Sequence, residues 1–491
     1  MSASRSTTPA TATPPGRFAR LLPVLLLVVL FASVYAADLG RVRMLMWDEA
    51  EYAELGRSVL HGEGYRTYVD PEGMRLPMVP LLAAGSLAVA PHAGDTGLRV
   101  VALVCMLLAL VVAHRGATRA ADPPTALAAT LLLGAMPMIQ VLATLILSEG
   151  SFLVFFTAAV WWFHDGLEGR SQSFLACAVA VGLAALTRYV AWLFVPVALL
   201  MMLARTVTLG PGEVAKRTFR SRVFLLAPLV TVAVIAPWLV REALVFHDPF
   251  EGFRDSLDAF GGWNLEPWSW YLTRLPLTVG WPALIAAILG LVVAVRERGG
   301  AAMTAAIVCV VVIGAHSRFA HKEDRYVSSM MPFLATLGGI GLTRLVAPLA
   351  ARVTGERAAA VIAATLAVIG SLVTMNGDGA RRVSLDPAGF PSFVQAMDAI
   401  RSASGPRDQI LGASGPLIRW YADRPVRPFP DRLEGLPDAL SSASWVVFVN
   451  YERMQPDWAA ALTHRLTAED AARGDVRVFR SGPYQTVIAR A

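Results

Sequence analysis

Trp47-Asp48-Glu49-Ala50-Glu51-Tyr52-Ala53-Glu54-Leu55-Gly56-Arg57 is the stretch around which the chain is organised. It follows an apolar run, Leu21 to Ala36, that is about long enough to cross a bilayer. Four carboxylates, Asp48, Glu49, Glu51 and Glu54, therefore crowd where the chain should just have left the hydrocarbon. Charges at a membrane edge are costly to place, so such a cluster points to function rather than to packing. Asp48, Tyr52 and Leu55 share one helical face at i, i+4 and i+7, which lets Asp48 point where the helix packs. Asp48 can also be read as a helix N-cap, with Glu51 and Glu54 on a solvated face.

Outward from this stretch, the composition sets the class. Of 491 residues 55% are hydrophobic and only 16% are charged, with a mean hydropathy of +0.53. Those values exclude an ordinary soluble protein. Repeated apolar runs of 15 to 22 residues between short polar segments predict a polytopic α-helical membrane protein. The net charge of +6 carries no nucleic-acid signal, because the basic residues fall mostly in loops that orient helices and no basic patch is paired with stacking aromatics. Cys105, Cys177 and Cys309 each sit inside an apolar run and read as small packing residues.

Short-loop Lys and Arg residues orient the helices. The loop from Arg205 to Arg222, with Lys216, Arg217 and Arg220, is the clearest inside loop; Arg296 with Arg298, and Arg344, Arg352 and Arg357, mark two more. Spans over 223–241, 276–296, 300–316, 326–346 and 357–375 then alternate consistently. The run Pro77 to Pro91 has only 15 residues and three prolines, too short for a crossing of about 20 residues, and reads as an interfacial or re-entrant helix. Without it, spans over 97–113, 125–147, 150–165, 172–187 and 189–204 follow that over 21–36. This gives about eleven transmembrane helices, with the N-terminus cytoplasmic and the C-terminus extracytoplasmic. Residues 1–20 are expected to be a disordered cytoplasmic tail, 21–375 the transmembrane catalytic domain with its first outer loop at 38–96, and 376–491 a small extracytoplasmic α/β domain. Strands are predicted there over 409–413, 445–450, 476–479 and 484–488, and helices over 391–402 and 457–466. A cleaved signal peptide over 21–36 is the less favoured alternative, since the run is long and lacks a small-x-small site.

This topology collects the unusual polar groups on one face: Asp48, Glu49, Asp70, Glu72 and Arg75, then Glu149, Arg188 and the run His321-Lys322-Glu323-Asp324-Arg325-Tyr326. A carboxylate there can deprotonate a hydroxyl, and fixed cations can hold a phosphate and stabilise its added charge as it departs. Each has a bland alternative: Glu149 as a capping residue, Arg188 as a snorkelling cation, 321–325 as a solvated loop. Trp263, Trp268, Trp270 and Tyr271 read as an interfacial aromatic belt.

The order of these motifs resembles a known family. Asp48-Glu49 with Tyr52-Ala53-Glu54, Arg75-x-Pro77-x-x-Pro80-Leu81-Leu82, Ser148-Glu149, Leu186-Thr187-Arg188-Tyr189 and Pro237-Trp238 followed by Phe246-x-Asp248-Pro249-Phe250 are similar to the GT-C superfamily. Its protein O-mannosyltransferase and aminoarabinose transferase group is the nearest in motif. His321-Lys322-Glu323-x-Arg325-Tyr326 is similar to the HKE-x-R-F signature of lumenal mannosyltransferases. The resemblance covers roughly residues 20 to 375. It implies an inverting glycosyltransferase that moves a sugar from a polyprenyl-phosphate donor to a glycan, lipid or protein acceptor of the cell envelope. It further implies Asp48 as catalytic base with Glu49 as helper, Arg188, Lys322 and Arg325 on the donor phosphate, and Arg75, Glu149, His321 and Glu323 as substrate-binding residues. The aminoarabinose transferases carry an acidic-Lys-Pro run where this chain has Arg75-Leu76-Pro77, which speaks against that particular sugar. Relatives that glycosylate peptides use a divalent metal, but their acceptor motif is absent here; no cofactor is expected, with a divalent metal left open. The competing reading is a transporter or flippase of lipid-linked sugars, which needs the cations but no base; the two halves show no inverted repeat. A non-catalytic membrane scaffold leaves the clustered charges unexplained.

Overall fold

Lipid leaves an apolar segment no partner for its backbone N–H and C=O groups except itself, so helix is the default. The computed structural model follows that rule along most of the described residues up to 376. It describes residues 17–37, 39, 44–67, 70–261, 266–319, 321–376, 391–451, 455–465 and 476–491. Residues 1–16 of the expected tail, Trp263, and residues 377–390 just beyond the expected boundary at 375/376 lie outside the described residues.

In chain order the helices are α1 (Arg17–Ala36), α2 (Trp47–Leu60), α3 (Met78–Val89), α4 (Gly94–Ala120), α5 (Pro123–Ala135), α6 (Pro137–Leu142), α7 (Ser148–Leu167), α8 (Ser173–Ala185) and α9 (Phe194–Leu209). They continue with α10 (Pro211–Arg217), α11 (Arg222–Phe246), α12 (Glu251–Gly261), α13 (Trp270–Val279), α14 (Trp281–Glu297), α15 (Gly300–His316), α16 (Met331–Gly341), α17 (Ala347–Thr354) and α18 (Glu356–Asn376). Among the described residues four helical stretches are long and apolar enough to cross a membrane unaided: Pro91–Ala120, Tyr189–Leu209, Arg222–Phe246 and Asp324–Arg352. The chain is a multi-pass helical membrane protein.

Two expected spans are not continuous rods. The run 125–147 breaks at Met136-Pro137 into α5 and α6, and residues 143–147 leave the helix altogether. Pro137 supplies no N–H to the preceding turn, and the Ile146 N–H is bonded to the Glu49 carboxylate, 2.9 Å away. The run 276–296 begins with a corner: α13 and α14 meet at 115° around Gly280, whose φ of 82° is strained for any residue with a Cβ. The two short helices α2 and α3 pack tightly on each other. At 12 residues α3 is about 18 Å long at 1.5 Å per residue, well short of the hydrocarbon thickness of about 30 Å. Gly56 of α2 permits the approach, since a Cβ there would lie 2.8 Å from the Ala83 Cβ and 2.9 Å from the Pro80 carbonyl oxygen.

Between the first two helices and the bundle, Arg66–Thr67 (β1) pairs antiparallel with Asp70–Pro71 (β2). Beyond residue 390 the chain builds a five-stranded mixed sheet from Ile410–Gly412 (β3), Val426–Arg427 (β4), Trp445–Val449 (β5), Val476–Ser481 (β6) and Tyr484–Arg490 (β7). Its order is β4-β3-β5-β7-β6; β3 runs parallel to β4 and β5, and β7 antiparallel to β5 and β6. The central strand β5 is buried along its whole length. The helix Gly415–Ala422, which follows β3, packs against α2.

Candidate active site

The first turn of α2 determines which carboxylate is available. The helix is capped at Met46, with extended backbone, and not by Asp48. Glu49, three residues on, reaches back to accept the Met46 N–H at 2.8 Å, one arm of a capping box. Its other oxygen accepts the Ile146 N–H. Glu49 is fully buried and does not line the cavity described next. Glu49, expected as a catalytic helper, is thus placed apart from that cavity: its carboxylate accepts from two backbone donors and staples α2 to the segment that follows α6.

Asp48 faces the other way, into a cavity of ≈ 370 Å³ lined also by Tyr52, Arg75, Arg188, Glu323 and Arg325. Its Oδ1 accepts from Arg75 at 2.8 Å and its Oδ2 from Arg325 at 2.8 Å. Arg75 also binds Glu51, with Nε–Oε2 at 2.6 Å, and lies over the Tyr52 ring, 5.6 Å from its centroid. Its own backbone is held by Glu72, which accepts the Arg75 N–H at 3.0 Å, and by the Tyr65 hydroxyl, which donates to its carbonyl at 2.8 Å.

The second group of charges comes from the later helices. Arg325 Nε meets Glu323 Oε2 at 2.5 Å and lies 3.8 Å from Glu149 Oε1. Arg188 donates to Ser148 Oγ at 2.8 Å, pairs closely with Glu149 and lies 5.7 Å from the Tyr326 centroid. Glu149 is only 1% exposed, and its Oε2 has no hydrogen-bond partner among the described residues. His321 Nε2 sits 3.0 Å from Glu323 Oε1, and the Tyr326 hydroxyl donates to the same oxygen at 3.1 Å. The structure thus brings Asp48, Arg75, Glu149, Arg188, His321, Glu323 and Arg325 together, although they are scattered over 278 positions of sequence from 48 to 325.

Lys322 does not join them. Its ammonium donates to the carbonyls of Glu266, at 2.8 Å, and Phe319, at 2.5 Å, and it lines a neighbouring cavity with Trp268 and Leu272 instead. Two carbonyl oxygens thus direct the ammonium, expected on the donor phosphate, toward this neighbouring cavity. The expected solvated face of α2 is corrected. Glu51 is held by Arg75 in the charged cluster, and Glu54 is buried and bonded to Arg57 at 2.5 Å. In the expected aromatic belt Trp268 is 71% exposed, but Tyr271 is buried beside His316.

Electrostatics separates the carboxylates further. Burial opposes the ionisation of Asp48, but Arg75 and then Arg325 outweigh it and hold the carboxyl well below the usual carboxylate range. At Glu323, burial is likewise outweighed by Arg325 and His321, and the pKa falls to about 2. At Glu51 burial prevails over Arg75, helped by the charges of Asp48 and Glu72, and the pKa rises. Among the described residues no group of three or more His, Cys, Asp or Glu side chains is arranged to hold a metal ion.

A helical membrane fold with a charged cavity beside its first helices defines a class, and comparison with known proteins refines it. Residues 71–240 match the family model of dolichyl-phosphate-mannose-protein mannosyltransferases, and residues 253–381 that of the Alg9-like mannosyltransferase family. No curated protein matches the sequence significantly. The fold is similar to that of ArnT from Cupriavidus metallidurans, solved in the apo state and bound to undecaprenyl phosphate. That likeness has a TM-score of 0.72 at 17% identity and covers 96% of this chain and 98% of ArnT. The apo oligosaccharyltransferase of Archaeoglobus fulgidus matches with a TM-score of 0.61 at 13% identity, over 88% of this chain and 70% of that one. The chain is a membrane glycosyltransferase that matches mannosyltransferase family models over two parts of its length and shares the fold of these solved transferases.

Proposed function

We propose that the protein transfers a sugar from a polyprenyl-phosphate donor to an acceptor hydroxyl of the cell envelope, on the extracytoplasmic face, with inversion at the anomeric carbon. The observation that carries this reading is Asp48 held between Arg75 and Arg325 in one cavity, with Arg188 beside them. The lipid-phosphate donor is supported by the family models, whose names specify mannosyl transfer, and by the ArnT complex with undecaprenyl phosphate.

The step balances without a nucleotide. Asp48 takes the proton of the acceptor hydroxyl, the oxygen attacks the anomeric carbon, and the bond from that carbon to the phosphate oxygen breaks. The electron pair leaves with the polyprenyl phosphate, whose added negative charge Arg75, Arg325 and Arg188 stabilise. A carboxylate clamped by two guanidinium groups is a weak base. Phosphate oxygens compete for the same N–H donors, so an arriving donor turns the arginines away from Asp48 and leaves its oxygens for the acceptor. Glu149 and Glu323 then keep Arg188 and Arg325 oriented, and His321 steadies Glu323. The sugar and the acceptor are set by parts of the cavity beyond this charged core.

The test is Asp48→Asn in the purified full chain, with polyprenyl-phosphate mannose as probe donor and envelope membranes as acceptor. Transfer, read as release of polyprenyl phosphate, should fall by about 100- to 10,000-fold while binding of polyprenyl phosphate persists. Unchanged turnover in this variant would remove Asp48 from the chemistry.

A further inference from the structure

We infer that Tyr421, from the C-terminal sheet region, is a positioning residue for Asp48; the inference builds on the proposed role of Asp48 as base.

The argument starts from the backbone before α2. The N–H groups that lead into a helix have no partner within it and need one from elsewhere. Met46 finds Glu49. Leu45, fully buried, donates instead to the Tyr421 hydroxyl at 2.7 Å, across 376 residues of sequence. That hydroxyl donates its own hydrogen bond to Asp95 Oδ2, while Asp95 Oδ1 accepts from Trp420 Nε1 at 2.8 Å. Asp95 lies in the first turn of α4. One phenolic oxygen therefore ties the entry of α2 to the start of a membrane-spanning helix, through a charge-assisted hydrogen bond of the stronger kind.

The same short helix, Gly415–Ala422, grips the far end of α2. Arg57 donates to the Arg419 carbonyl at 3.2 Å, pairs with Asp423 at 3.0 Å and lies 5.5 Å from the centroid of Trp420. Asp48 is three residues from the Leu45 anchor and sits on a helix held at both ends from outside the membrane-spanning part. A base must be placed within a fraction of an ångström of the hydroxyl it deprotonates. Fixing Leu45 and Met46 fixes the helix origin from which the Asp48 side chain projects.

The experiment is Tyr421→Phe, which keeps the ring and removes only the bridging hydroxyl. In the full chain we expect faster hydrogen–deuterium exchange over 45–48 and a fall in kcat of about 10- to 100-fold, with KM for polyprenyl-phosphate mannose unchanged. Trp458→Phe, which alters a ring bonded to the Pro430 carbonyl within the sheet region, should leave both untouched. In an Asp48→Asn background Tyr421→Phe should cost nothing further, because an effect exerted through Asp48 is not additive with its loss. Unchanged exchange at 45–48, or a full additional loss in the double variant, would overturn the inference. Full activity of Asp48→Asn alone would instead sink the base assignment while the exchange result still reads the anchor, so the two failures are distinguishable.

Discussion

Asp48 meets a guanidinium on each of its oxygens, and this has a measurable consequence for its titration. A base must be ionised to act, so the acid limb of kcat/KM against pH reports its pKa in the free enzyme. With the pKa depressed, activity should persist as pH falls through the ordinary carboxylate range near ~4. Arg75 is the larger of the two opposing charges. In Arg75→Gln the depression weakens while burial remains, the pKa rises, and the acid limb should move upward by about one to three pH units. A limb that stays put would show that the titrating group is not Asp48. Conservative replacement is informative at Arg188 too: one nitrogen of its guanidinium meets both Ser148 and Glu149, and Arg188→Lys, which keeps the charge but loses the planar group's other donors, should weaken binding of polyprenyl phosphate in a titration more than it lowers kcat.

Among the elements, α2 is the one whose neighbours decide its residues' roles. It packs on α3, on the helix Gly415–Ala422 and on the strand β1. At Gly56 a branched side chain has nowhere to go, so Gly56→Val should force α2 and α3 apart, cost about 1–3 kcal/mol of stability and lower the melting temperature in detergent. Retention of the wild-type melting temperature would show that the close approach is dispensable. The helical runs were legible in the sequence because hydrocarbon imposes its thickness on any segment that crosses it. So was the gathering of charges around Asp48, since loop arginines order the spans without reference to tertiary contacts. The direction of single side chains was not legible. Glu51 follows Asp48 by three residues and shares its face, but only the position of Arg75 turns a solvated face into a lined one. Glu49 was indistinguishable from Asp48 by composition; the Ile146 N–H that occupies it lies 97 residues away. The same long-range bond ended the span over 125–147, and no periodicity within that run announces it. Lys322 matched a motif, yet carbonyl oxygens of Glu266 and Phe319 decide where its ammonium points.

At the scale of the molecule, the proposed sidedness can be examined with one reagent. In Leu433→Cys, at an exposed position of the C-terminal region, a membrane-impermeant maleimide added to intact cells should label the protein. In Lys216→Cys, in the basic loop, it should react only after the cells are opened. Labelling of both from outside would overturn the proposed orientation. The charged cavity has a further consequence. Four carboxylates, Asp48, Glu51, Glu149 and Glu323, stand against three guanidinium groups, Arg75, Arg188 and Arg325. A cluster already short of one positive charge is asked to accept an anionic lipid, and Glu51, whose pKa is raised by burial, is the group that can relieve the excess. An arriving phosphate raises that pKa further, so binding and proton uptake are thermodynamically linked. Calorimetric titrations of undecaprenyl phosphate in buffers of different ionisation enthalpy should then reveal a fraction of a proton taken from solution per lipid bound, with affinity rising as pH falls. The substitution Glu51→Gln should reduce both effects, and the phosphate's own second ionisation, near pH ~6, then accounts for the dependence on acidity that remains.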